Sequence, residues 1–177
     1  MPPWLSQLIY LQQSESESYL SKLIQLATVS HDNKPRVRTV VFRGWSDSFD
    51  MKICTDKRSS KIIELKDNNN VEACWFLPNS SCQFRFRGTT TIDCDKETWE
   101  LLDEKSKSMW SWPSPGNKFE PNNNLNFLPN KETNPIDNYV LLKINIDYVD
   151  QLILDKPVHF RRRWIKKREW IEERINP

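Results

Sequence analysis

The run PRVRTVVFRGW, residues 35 to 45, limits what this chain can become more than any other segment. Its β-branched and aromatic residues favour an extended backbone. Side chains along a strand alternate between faces, so Arg36, Arg38, Val40 and Phe42 share one side. Val37, Thr39, Val41 and Arg43 share the other. Arg38 and Arg43 therefore point apart, and only a bulge would let both reach one group. Cations on both faces of a strand must end in solvent or on an anion. ICTDKRSSK (53 to 61) and CQFRFRG (82 to 88) repeat the mixture of strand-forming residues with cations and hydroxyl or amide groups. Gly88, in mid-strand, marks a bulge or the close approach of another group.

Around these segments the periodicity predicts a β-rich chain. Residues 3–26 place Trp4, Leu5, Leu8 and Ile9, then Leu20, Leu23 and Ile24, at helical spacing, with a Ser/Glu interruption over 14–18. Strands are expected over 27–30, 36–45, 51–55, 71–77 and 83–92, with HDNK (31–34) as a hairpin turn. A brief helix over 59–68 opens on serines suited to capping, and a second helix runs over 96–108. Residues 109–138, rich in Pro and Asn, read mainly as a loop of the length that is often functional. Strands follow over 139–149, 151–154, 159–166 and 170–175. The sum is a mainly β chain with peripheral helices: a small antiparallel barrel, within one domain over 1–177.

Composition excludes several classes. The net charge is +2 over 177 residues, and the basic groups are local rather than spread over one face. RRRWIKKR (161–168) has the cations and aromatic of a single-strand binder, but it carries no RNA-recognition motif, so nucleic acid is not the expected partner. The 4 cysteines have no CxxC spacing and sit mostly in strand-like runs. They read as reduced thiols, with no metal site. No apolar run nears the roughly 20 residues that span a bilayer. The start has no leader pattern, and the expected location is the cytoplasm.

The chemistry follows from placement. Thr55 ends one strand and Ser59-Ser60-Lys61 opens the next helix, where free backbone N–H groups and the positive end of the dipole favour a phosphate. Lys61 and the serine hydroxyls add donors. Gln83 offers a paired donor and acceptor that could read an amide-like ring edge. Histidine changes charge near neutrality, which makes His159 a weak catalytic candidate. A strand residue beside arginines is the blander reading of it. His31, in the HDNK turn, reads as solvent-exposed. Each arginine taken singly reads first as an ordinary solvent-face residue.

In this order the segments resemble the pyridoxamine 5'-phosphate oxidase-like FMN-binding split barrels, in particular a shorter subgroup beside the true oxidases. The pattern Arg-x-Val-x-x-(Lys/Arg) matches Arg38 to Arg43. The pattern aromatic-Thr-(Asn/Asp)-x-x-Ser-x-Lys matches Cys54 to Lys61, with cysteine in the aromatic position. Gln-x-x-x-x-Gly matches Gln83 to Gly88, (His/Arg)-x-Arg-aromatic matches Arg161 to Trp164, and WPSPG (112–116) matches the subgroup's loop. The resemblance implies an FMN-binding split β-barrel of Greek-key type and a homodimer with FMN at its interface. By it, Arg38, Ser60 and Lys61 hold the phosphate. Thr39, Val40, Val41, Arg43, Cys54 and Thr55 line the ribityl chain and ring. Gln83 and Arg163, from the other subunit, address the ring's polar edge. Trp110 or Trp112 could cover the ring.

The match departs at the substrate. A Tyr-x-x-x-Arg-x-x-x-Ser pattern holds the substrate phosphate in the true oxidases, and Leu101, Lys105 and Met109 stand there. The Arg-x-His pair is exchanged to His159 and Arg161, and Ile153 stands where a tryptophan flanks the flavin. The resemblance thus implies a flavoprotein that passes a hydride between flavin and a small organic substrate, with pyridoxamine phosphate oxidation in question. A flavin-binding or storage protein without turnover is the alternative.

Overall fold

The computed structural model describes residues 1–15, 19–121, 131–154 and 157–177. Helix α1 (Pro3–Gln12) opens the chain, with proline at its start, and buries Trp4, Leu5 and Leu8. A 3₁₀ turn over Tyr19–Lys22 leads into β1 (Leu23–Val29). Strands β2 (Pro35–Trp45) and β3 (Met51–Asp56) follow. Then come α2 (Ser60–Asp67), β4 (Asn70–Leu77) and β5 (Cys82–Asp93). Two short helices, α3 (Lys96–Glu100) and α4 (Glu104–Ser108), precede a 3₁₀ turn at Met109–Ser111. Strands β6 (Tyr139–Ile153), β7 (Phe160–Lys166) and β8 (Trp170–Ile175) complete the order.

All pairings are antiparallel, in the order β3-β2-β1-β4-β5-β6-β7-β8, and β3 also pairs with β6. That pairing closes six strands into a barrel and leaves β7 and β8 as a flap beyond β6. Inward side chains fill the barrel: Ile24 and Leu26 from β1, Ile53 from β3, Trp75 from β4, Phe84 and Phe86 from β5, Ile144 from β6. Helix α1 closes one end with Trp4, whose ring meets Trp45 and Phe86 at centroid distances of 5.5 and 5.6 Å. A separate cluster, Trp99, Leu102, Trp110, Tyr139 and Leu141, seats α3 and the 3₁₀ turn on the outside of β3 and β6.

Several local expectations change. The helical spacing over 19–26 gives way to a strand from Leu23, because Leu23–Val29 gains a full ladder against β2. The helix expected over 96–108 breaks, because the Asp103 carboxylate accepts the amide of Ser106 at 2.8 Å and starts a new helix. The strands expected over 139–149 and 151–154 are one continuous β6. The HDNK turn is present, with Asn33 at φ 56. The described parts of 109–138 hold one 3₁₀ turn, and 122–130 lie outside the described residues. The reading of Gly88 is met: a Cβ there would lie 2.0 Å from the carbonyl oxygen of Asn145, at the register shift between Arg87 and Gly88. No helix among the described residues is long and apolar enough to cross a membrane.

Candidate functional site

The chain passes from β3 into α2 through Thr55-Asp56-Lys57-Arg58-Ser59, and that corner builds the site. Ser59 takes the N-cap backbone conformation, but no side chain caps the helix amides. Its hydroxyl instead donates to the Asp56 carbonyl at 2.7 Å. The Lys61 ammonium then donates to Ser59 Oγ at 3.0 Å and to Thr55 Oγ1 at 2.9 Å. The two nearest carboxylates are already used: Asp56 pairs with Arg58 and Glu64 with Arg38, each at 2.7 Å. No carboxylate pairs with Lys61 among the described residues. Burial, with repulsion from Arg38, pulls its pKa below the ordinary 10.5. This is a desolvated cation beside uncapped helix amides, and an anion is the group it lacks.

Arg38 reaches the same region from β2. Its guanidinium bonds Glu64 Oε2 and Thr28 Oγ1, and Thr28 donates to that carboxylate at 2.5 Å. Arg38, Ser60 and Glu64 face a cleft of about 400 Å³ that extends to Arg36 and His31. On the other face of β2, Val41 and Arg43 join Cys54, Thr55, Trp110 and Trp112 around a second cleft of about 270 Å³. The opposition of Arg38 and Arg43 read from the alternation is therefore kept. The register shift between Phe42 and Trp45, with Gly44 at φ +104, falls beside Arg43 and does not bring the two together.

The second cleft has a fixed wall. Trp110 donates its indole N–H to the Thr55 carbonyl at 2.8 Å. Arg58, held by Asp56, donates to the Trp112 carbonyl at 2.8 Å, and Asn138 donates to the Trp110 carbonyl at 3.0 Å. The Cys54 thiol meets the Tyr139 hydroxyl at 3.5 Å, and burial raises the pKa of both, so neither is an anion at neutral pH. Arg43 Nε is buried with no hydrogen-bond partner among the described residues. The two clefts flank Lys61 and together suit a long ligand with a phosphate at one end and a flat ring at the other.

Residues 1–93 match the family model described as pyridoxamine 5'-phosphate oxidase, FMN-binding domain. The chain belongs to that family. Its cofactor is accordingly FMN. A curated relative named pyridoxine/pyridoxamine 5'-phosphate oxidase 2, from Arabidopsis thaliana, is 29% identical over 99% of this chain and 97% of its own. A pyridoxine/pyridoxamine 5'-phosphate oxidase of Psychrobacter cryohalolentis is 35% identical over 52% of this chain and 41% of its own. Among solved structures, a pyridoxamine 5'-phosphate oxidase-related, FMN-binding protein from Nostoc punctiforme superposes with a TM-score of 0.93. It is 28% identical and covers 100% of this chain and 99% of its own.

Within this FMN-binding barrel, Arg38, Val41, Arg43, Cys54, Thr55, Ser60 and Lys61 lie along the two clefts and the corner between them. Thr39 and Val40 occupy the same strand, Thr39 exposed and Val40 half-buried. The resemblance assigned the phosphate to Ser60 rather than Ser59, yet Ser59 is 4% exposed and bonds Lys61, whereas Ser60 is exposed. The signal was there, since the family pattern places its serine two residues before the lysine. Gln83 and Arg163 are not brought to this corner. Each lies three strands from β2, Gln83 by way of β1 and β4 and Arg163 by way of β3 and β6. Arg163 pairs instead with Glu173 at 2.7 Å. His159 is exposed just before β7 and lines neither cleft.

Proposed function

We propose that this chain is an FMN-dependent oxidoreductase acting on a small organic substrate, with its flavin completed by a second copy of the chain. The observation that carries the cofactor placement is Lys61, a partly buried ammonium whose hydrogen-bond partners among the described residues are two hydroxyls. The FMN phosphate is the anion that would complete it, with Ser59, Ser60 and Arg38 adding donors. The ribityl chain would pass Thr55, and the ring would lie against Val41 and Cys54 under the fixed Trp110–Trp112 wall. Bound FMN supplies two-electron redox chemistry. The protein's share is to hold the ring in a water-poor cleft and to keep the Arg43 cation beside it.

The dimer reading rests on one row of side chains. Thr39, Gln25, Cys74, Arg85, Asp150 and Arg163 are successive cross-strand partners on the outward face of the sheet. Phe76 and Gln83 pair beside them, and Phe76 is 47% exposed. A self-complementary face of this kind, repeated by a two-fold axis, would set Gln83 and Arg163 of one copy against the β2 side of the other.

The test is reconstitution. Purified protein should show the visible absorption bands of a flavin, and mass analysis of the released cofactor should give FMN. Replacing both Lys61 and Arg38 by alanine should weaken FMN binding at least about tenfold, since each charge-assisted hydrogen bond contributes about 1.5–3 kcal/mol. Unchanged affinity overturns the phosphate placement. A flavin that photoreduces but is reoxidised by no candidate substrate overturns the enzymatic reading.

A further inference from the structure

A third cleft, of about 310 Å³, shares Arg43 with the ring cleft and is lined also by Lys22, Phe42, Thr98, Leu101 and Leu102. We infer that it takes the carboxylate of an apolar-bodied organic acid; this rests on the flavin placement proposed above.

The donors decide the anion. Arg43 has a buried Nε without a partner, and Lys22 forms no ion pair among the described residues. Thr98 has nothing left to offer, since its hydroxyl donates to the Asp95 carboxylate and accepts from Lys52 Nζ at 3.2 Å. The carboxylates of Asp95 and Asp103 occupy the starts of α3 and α4, so no helix terminus is open to a phosphate there. Both add negative charge nearby, and a dianion with three acceptor oxygens meets too few donors and too much repulsion. A carboxylate carries one charge and two oxygens, which suit the planar fork of an arginine. Leu101, Leu102 and Phe42 supply an apolar wall for the rest of the molecule. The break between α3 and α4 separates the positions where the resemblance set a phosphate clamp. Leu101 faces this cleft, while Met109 faces the ring cleft.

Benzoate and phenyl phosphate share a ring and differ in the anion, so they are the probes. Each is titrated into FMN-loaded protein, followed by calorimetry and by perturbation of the flavin absorption. Benzoate should bind more tightly than phenyl phosphate. Lys22→Ala should weaken it about tenfold, the loss of one charge-assisted hydrogen bond, while FMN affinity stays unchanged. Leu101→Glu, at a position 79% exposed and therefore safe for folding, should also weaken benzoate by repulsion. Equal or tighter binding of phenyl phosphate overturns the inference, as does binding of neither probe, or a benzoate affinity indifferent to both substitutions. Should the protein retain no FMN, the flavin placement fails by itself, and calorimetry on the flavin-free protein still reads the response to Lys22 and Leu101.

Discussion

Lys61 holds a charge that the fold makes costly. Its ammonium is desolvated, and its pKa is below the ordinary 10.5. A lysine whose pKa is lowered on folding destabilises the fold fully below that lowered value, and the cost fades as pH rises through it toward 10.5. Flavin-free protein should therefore be stabilised by Lys61→Met below that lowered value, the gain should shrink as pH rises toward 10.5, and FMN at neutral pH should shift the balance strongly toward wild type. Thermal melts of both proteins, with and without FMN, read this directly. A stability difference that ignores pH would show that Lys61 is solvated. At this scale much was legible: Arg38, Thr55 and Lys61 stand out because their types and spacing suit an anion. Ser59 was not told apart from Ser60, and Glu64 did not stand out. Only the true start of α2 tells which serine turns inward, and only the packing of α2 on β1 brings Glu64 to Thr28 and Arg38.

At the level of elements, β7 is held to the barrel by a buried carboxylate. Asp150, on β6, has a side chain 1% exposed and pairs with Arg85 and Arg161, each at 3.0 Å. Burial alone would raise its pKa, but the two guanidinium groups outweigh it and hold the carboxyl below 3.8. A carboxylate lowered on folding stabilises above its unfolded value and loses that contribution as pH falls through the folded one. Asp150→Asn should therefore cost about 2–3 kcal/mol at pH 7, the size of a charge-assisted bond. The difference from wild type should shrink below pH 3.8. Urea denaturation at both pH values checks it; a constant difference would mean that Asp150 stays charged or that the ion pairs contribute nothing. Element types were readable from periodicity, and boundaries less so. The sequence LSKLIQLATV satisfies both helical and strand spacing in part, and the pairing with β2 settles it. The break before α4 was signalled by Asp103, a preferred N-cap residue inside a run otherwise suited to a helix.

For the whole molecule, strand count and turn chemistry disclosed a barrel, but the closure of β3 on β6 depends on distant pairing that no local pattern encodes. The same sheet keeps the candidate residues apart. Its ring cleft, about 270 Å³, lies below the usual range for ligand pockets, roughly 300–1,000 Å³. Gln83 and Arg163 are strands away from it, on the outward face that also carries Phe76. If that face meets its own copy, one substitution there should act on cofactor binding without touching a residue of the corner. Phe76→Arg places a cation at a position 47% exposed in the single chain, so the barrel should still fold. In the dimer two such cations would be desolvated near the two-fold axis, an unpaired arrangement that an interface does not tolerate. Sedimentation should give twice the chain mass for wild type and the single chain mass for Phe76→Arg, with unchanged circular dichroism. FMN affinity should fall alongside dimerisation, because Gln83 and Arg163 of the second copy are withdrawn. A monomeric wild type that binds FMN with full affinity would remove the need for a second copy, and a monomeric variant that keeps that affinity would confine the site to one chain.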